Sequence, residues 1–200
     1  AVNAILEECQ KDYDLLLLGA SEQPGDSETL FSSAIDSLIR LAPCSTAVIH
    51  AKQISPSWTP KKILVPTSGS LASKYAVEFA FFLSSMETET VTILNVVVKD
   101  AHDWHLVMHD DIFERQLKNS IRMLEEMRKA GQTKGVPTKV EVKVGTEPEL
   151  VILEVAQKEN YDLIILGTDV HPFSDRLFLG PRVERILRNA HCPVLVLNTI

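Results

Sequence analysis

The chain has 200 residues, room for one large or two small domains. Its 45% apolar and 24% charged content is that of a soluble globular chain, and its formal net charge of −7 argues against a nucleic-acid backbone or an anionic membrane as partner. No apolar run approaches the ~20 residues of a membrane span, no signal peptide opens the chain, and three cysteines without framework spacing point to packed thiols in a reducing, cytoplasmic setting.

Residues 1–13 read as an amphipathic helix with Val2, Ile5, Leu6 and Cys9 on its apolar face. No capping residue precedes it, so the simplest expectation is that the sequence comes from a longer one. Residues 14–18 and 45–49 read as strands. Between them Gly25-Asp26-Ser27 is turn-forming, and Ala34, Leu38 and Leu41 mark a helix face. Residues 51–60, with two prolines and two serines, are expected to be a linker, pinned by Trp58.

From residue 61 a complete unit follows. Ile63-Leu64-Val65 is its first strand, Pro66-Thr67-Ser68-Gly69-Ser70 a turn, and Ser70 a candidate helix cap. Ala72, Ala76, Phe79, Ala80 and Leu83 line the helix. Val91–Val98 is a second strand. Residues 99–111 are a polar loop running toward a long helix carried by Phe113, Leu117, Ile121, Leu124 and Met127, with Gly131 and Gly135 ending it. Val140, Val142 and Val144 alternate with charges, as on a strand with one wet face. Glu147-Pro148 opens a third helix. Leu163–Leu166 is a fourth strand, closed by Gly167. Val183, Ile186, Leu187 and Ala190 recur at helical spacing, and Val194–Leu197 is a fifth strand. Alternating strands and helices predict a doubly wound, parallel, five-stranded α/β sheet with ligands at the carboxyl ends of its strands.

Residues 14–50 repeat residues 162–198 without a gap. Asp14, Leu15, Leu18, Gly19, Pro24, Arg40, Ala42, Cys44 and Val48 are identical to the residues 148 positions on. Solenoid periods are roughly 20–50 residues, so this period means duplicated domains. The expected organisation is residues 1–50 as the back part of a first domain, 51–60 as linker and 61–200 as a complete second domain.

The ordered set of KKILVPTSGSLAS at 61–73, GTDVHPFSDRLFLGP at 167–181 and CPVLVL at 192–197 resembles the universal stress protein family. That resemblance implies strand order 3-2-1-4-5 and pairing of domains, or self-association, through fifth strands. It also implies an adenine-nucleotide site, ATP above all, in which loop glycines admit phosphate to a helix N-terminus. Carried over by position, Gly167 and Gly180 match the first and last loop glycines. Val170 stands for the middle glycine, Pro181 for the hydroxyl residue after the last, and Ser68 for the aspartate of the opening turn. The candidate nucleotide-binding residues are therefore Pro66, Thr67, Ser68, Gly69, Gly167, Val170, Gly180, Pro181 and Arg182. Val170 disfavours a tight left-handed turn, Pro181 removes a donor, and Ser68 loses an anionic acceptor. His171, Arg176 and Arg182 could compensate with positive charge. The corresponding loop of the N-terminal segment reads Gly19, Glu22, Ser32 and Ser33, and Glu22 would repel phosphate. The alternative reading of both loop glycines is turn geometry alone.

His102, His105 and His109, with Asp103, Asp110 and Asp111, would share a helix face and could hold zinc or nickel. Solvation of a polar loop explains them as well, and no metal is assigned. No G-x-S-x-G elbow or other hydrolytic constellation occurs, so no enzyme is expected. Three functional readings follow. The first is a non-enzymatic regulatory, stress-response module with a degenerate ATP loop. The second is the cytosolic tail of a membrane transporter, a cation/proton antiporter or amino-acid permease. The third is an ATP-binding protein with slow hydrolysis.

Overall fold

The structure, a computed structural model, describes residues 1–20, 30–51, 54–55, 57–84, 88–99, 107–169 and 177–199, with only the backbone at 107–110. The elements in chain order are α1 (Val2–Cys9), β1 (Leu15–Ala20), α2 (Ser33–Leu41), β2 (Ser45–His50), β3 (Lys62–Pro66), α3 (Leu71–Leu83), β4 (Thr90–Val98), α4 (Val107–Thr133), β5 (Thr138–Gly145), α5 (Pro148–Lys158), β6 (Leu163–Thr168), α6 (Pro181–Asn189) and β7 (Val194–Asn198).

One sheet of seven strands runs in the order β1-β2-β7-β6-β3-β4-β5. This corrects the expectation of a five-stranded sheet. The order 3-2-1-4-5 is present within it as β5-β4-β3-β6-β7, and β1 and β2 extend it by two strands. Every pairing is parallel except that of β2 with β7, which is antiparallel, with Ala47 opposite Leu197. The outer edge of β7 is thus taken by β2 inside the molecule. The central strands are apolar in runs because both faces of the sheet are covered there. On one face Leu64, Leu94, Ile164, Leu166 and Val196 pack with residues of α2, α5 and α6. On the other, Ile63, Val65, Ile93, Ile165 and Leu197 pack with α3 and α4.

Local signals do much of the placing. Ser70 caps α3, its Oγ accepting from the Ser73 N–H, and Pro148 occupies the first turn of α5. Trp58 is half-buried against the α3–α4 core. Two helical expectations shift. On α2 the inward residues are Ile35, Leu38 and Ile39, while Ala34 and Leu41 face solvent. Gly131 lies inside α4 rather than at its end. Among the described residues no helix is long and apolar enough to cross a membrane.

Candidate nucleotide site

At the carboxyl ends of β3, β4 and β6 the chain leaves the sheet on both sides of a gap, the geometry that makes a crevice in a doubly wound sheet. The gap is a cavity of about 210 Å³. Pro66, Thr67 and Ser68 line it from the β3 turn, Gly167 from the end of β6, and Arg182 from the first turn of α6. These five sequence-predicted residues therefore meet. Gly69, Gly180 and Pro181 flank the cavity without lining it, and Val170 lies outside the described residues together with His171 and Arg176.

The polar side of the cavity is a chain of hydroxyls. The Gly69 N–H donates to Thr67 Oγ1 at 3.1 Å, and Thr67 Oγ1 lies 2.9 Å from Ser73 Oγ. Ser73 Oγ donates on to the Ser70 carbonyl at 2.9 Å. One proton per hydroxyl fixes the direction, so Thr67 donates to Ser73. Ser68 is exposed, and its Oγ accepts from the Ser70 N–H at 3.4 Å. Buried Asn95, within β4, donates from Nδ2 to the Thr67 carbonyl at 2.6 Å and accepts from Ser120 Oγ at 2.7 Å. It ties the β3 turn to α4. Sequence reading missed Asn95 and Ser73 as lining residues. Ser73 closes the 61–73 motif, and an asparagine in a largely apolar strand was a signal that could have been followed. Val96, Ile152, Val183 and Ile186 supply an apolar wall.

The glycines act for different reasons. A Cβ on Gly167 would lie 2.0 Å from the Ala72 carbonyl oxygen and 2.4 Å from its carbon. The end of β6 touches the backbone of α3, which leaves no room for a side chain. Gly180, the N-cap residue of α6, has φ +91 and open space around it. There the backbone conformation, not crowding, calls for glycine. Both roles are structural whether or not a ligand is present.

Charge at the mouth is balanced. Arg182 Nε lies 3.9 Å from Glu149 Oε2. Arg185 Nη1 reaches Glu147 at 2.6 Å and Glu149 at 3.1 Å. The hydrogen bond to Glu147 pushes the Arg185 pKa up from its ordinary value, so this cation stays charged. Pro181 brings no N–H to the α6 N-terminus, which leaves the N–H groups of Arg182 and Val183 as its first-turn donors. The arrangement can hold a flat apolar group against Val96 and Ile152 and one anionic group near Arg182.

His102 and His105 lie outside the described residues, and of His109 only the backbone is described, in the first turn of α4. Among the described residues no cluster of three or more metal-ligating side chains occurs. The three cysteines are free thiols, Cys9 and Cys44 buried and Cys192 half-buried. Burial pushes the Cys192 thiol up to about 12, with Asp162 adding to it. Burial and the neighbouring Cys9 raise Cys44.

With this geometry in place, comparison with known proteins is informative. The profile of the universal stress protein family matches residues 59–198. The chain belongs to the universal stress protein family. A universal stress protein of Methanocaldococcus jannaschii is 32% identical over 145 residues, covering 69% of this chain and 82% of the relative. Among solved structures, a universal stress protein of Archaeoglobus fulgidus superposes with a TM-score of 0.66 at 18% identity, covering 98% of this chain and 65% of that one. A family member from Arabidopsis thaliana with AMP bound gives 0.52 at 20% identity, over 70% of this chain and 93% of its own. These two likenesses concern the fold alone.

Proposed function

We propose that this universal stress protein is a non-enzymatic regulatory, stress-response module that binds an adenine nucleotide with modest affinity at the ends of β3, β4 and β6. The observation that carries this reading is the cavity itself. Five residues that the family resemblance marks as nucleotide-binding, from three separate stretches of sequence, line one space with an apolar wall and Arg182 at its mouth. AMP bound to the Arabidopsis relative supports the choice of ligand. Modest affinity follows from three features. The hydroxyls of the β3 turn already satisfy one another. Arg182 shares its charge with Glu149. The α6 N-terminus lacks the donor that Pro181 cannot provide. No described side chains in the cavity's lining form a nucleophile–base pair, and the reading includes no hydrolysis. The N-terminal segment is proposed to be the back part of a first domain of the same kind, because Leu15–Ala20, Ser33–Leu41 and Ser45–His50 repeat the order of β6, α6 and β7.

Calorimetric titration with AMP and with ATP, with and without magnesium, tests the proposal. Saturable heat with a dissociation constant in the micromolar range, weakened at least tenfold by Gly167→Val or Arg182→Glu, is the expected result. No heat up to millimolar nucleotide would overturn it. Phosphate release from bound ATP would overturn the non-enzymatic part.

A further inference from the structure

The limb of chain that delivers α6 to the cavity is held in part by the N-terminal segment. Leu177–Gly180 leads directly into Pro181 and the cavity-lining Arg182 and Val183. Among the described residues, two hydrogen bonds hold this limb. Thr168 Oγ1, at the end of β6, donates to the Leu179 carbonyl at 3.3 Å. The other comes from α2 in the N-terminal segment, where Asp36 Oδ1 accepts the Leu177 N–H at 2.9 Å across 141 residues of sequence. The second Asp36 oxygen lies 3.8 Å from Arg40 Nη1, one turn along α2. A carboxylate accepting a backbone N–H is among the stronger hydrogen bonds, and here it is only about a quarter exposed. Packing repeats the link. Leu179 is buried, Leu177 half-buried, and both belong to the apolar cluster that contains Phe31, Ile35 and Ile39 of the N-terminal segment.

We infer that Asp36 is a positioning residue for the nucleotide site, so that the N-terminal segment and the occupancy of the cavity are energetically coupled. The inference rests on the proposed nucleotide reading for its second half only. Without Asp36 the limb loses one of the two hydrogen bonds found among the described residues, and the two first-turn N–H donors of α6 are held less firmly in direction. Coupling is reciprocal. A ligand that orders the first turn of α6 must also tighten the limb against α2.

The test joins amide hydrogen exchange to AMP titration of the full chain. In Asp36→Ala, exchange at Leu177 through Gly180 is expected to rise at least tenfold while strands β3 and β6 keep their protection. AMP affinity is expected to fall about fivefold or more. Asp36→Asn, which retains a carbonyl acceptor, should recover most of both, as a general loss of stability would not. In the wild type, saturating AMP should slow exchange in α2 around Asp36 to Arg40, a measurement that stands if Asp36→Ala does not fold. Unchanged exchange at Leu177 in Asp36→Ala overturns the anchoring. Raised exchange with unchanged AMP affinity, or no response of α2 to AMP, overturns the coupling. If the wild type binds no AMP, the proposed function and the coupling fall together, and exchange at Leu177 alone decides whether Asp36 anchors the limb.

Discussion

β1 and β6 carry nearly the same sequence, LLLLGA against LIILGT, yet they sit in different surroundings. β6 is paired on both edges and covered on both faces, and Leu163, Ile164, Ile165 and Leu166 are all buried. Among the described residues β1 pairs with β2 alone, and Leu17, aligned with Ile165, is 62% exposed against 0%. Gly19 has nothing within 4 Å of where a Cβ would stand, while Gly167 has the backbone of α3 there. The same residues thus act as a core in one place and as a surface in the other. What a glycine or a leucine does is settled by the element packed against it, not by its motif.

Paired substitutions break or sharpen that contrast. Ile165→Ala should cost about 4 kcal/mol, by lost burial plus an unfilled cavity, while Leu17→Ala should stay within about 0.5 kcal/mol. Urea unfolding of both variants measures the difference, and equal costs would show that β1 is covered in solution. Gly167→Ala should cost about 3 kcal/mol, because the obstacle is helix backbone that cannot rotate away. Gly19→Ala should be neutral within about 1 kcal/mol, and a shared large effect would remove packing as the explanation.

A third pair is the aspartates that open the two strands. Asp162 accepts the Lys61 N–H at 2.9 Å and the Lys62 N–H at 3.0 Å, clamping the start of β3 to β6. Asp14 is exposed. Asp162→Ala should cost about 2 kcal/mol through two backbone donors left without their acceptor, and Asp14→Ala should cost little. Thermal unfolding separates them.

The last effect is confined to alkaline pH. The Cys192 thiol, pushed up to about 12 by burial, keeps its proton where an unfolded thiol, near pH ~8.5, has lost it. Its contribution is full below that pH and declines as pH rises toward about 12. Cys192→Ala should therefore flatten the fall of stability with pH across this window. A slope unchanged by the substitution would refute the assignment.

Much of this architecture was legible beforehand. Apolar runs marked the strands, Ser70 and Pro148 marked helix starts, and the 148-residue offset aligned β1-α2-β2 with β6-α6-β7. Five of the nine candidate site residues line the cavity. The rest was not legible because it depends on partners far away in sequence. Gly167 looked like a phosphate-loop residue, but its immediate constraint is the Ala72 backbone. Asn95 and Asp36 belong to no pattern, and their partners are 28 and 141 residues distant. The inward face of α2 was misjudged by one residue, since Ile35 and Ile39 lie beside Ala34 and Leu38 and only the direction of the sheet distinguishes them.

The antiparallel seam between β2 and β7 also sets the order in which the chain can assemble. Ala47 and Leu197 meet across 150 residues, whereas Ile164 and Val194, in β6 and β7, meet across 30. Closing the longer loop costs about 1.4 kcal/mol more by the logarithmic law for chain closure, and the seam has no edge to join until β7 is in place. Refolding should therefore proceed from the Lys62–Asn198 unit outward, with amides of β7 protected before those of β2 in a pulse-labelling experiment. Simultaneous protection of both strands would mean that the molecule folds as a single cooperative body, its seam being as early as its centre.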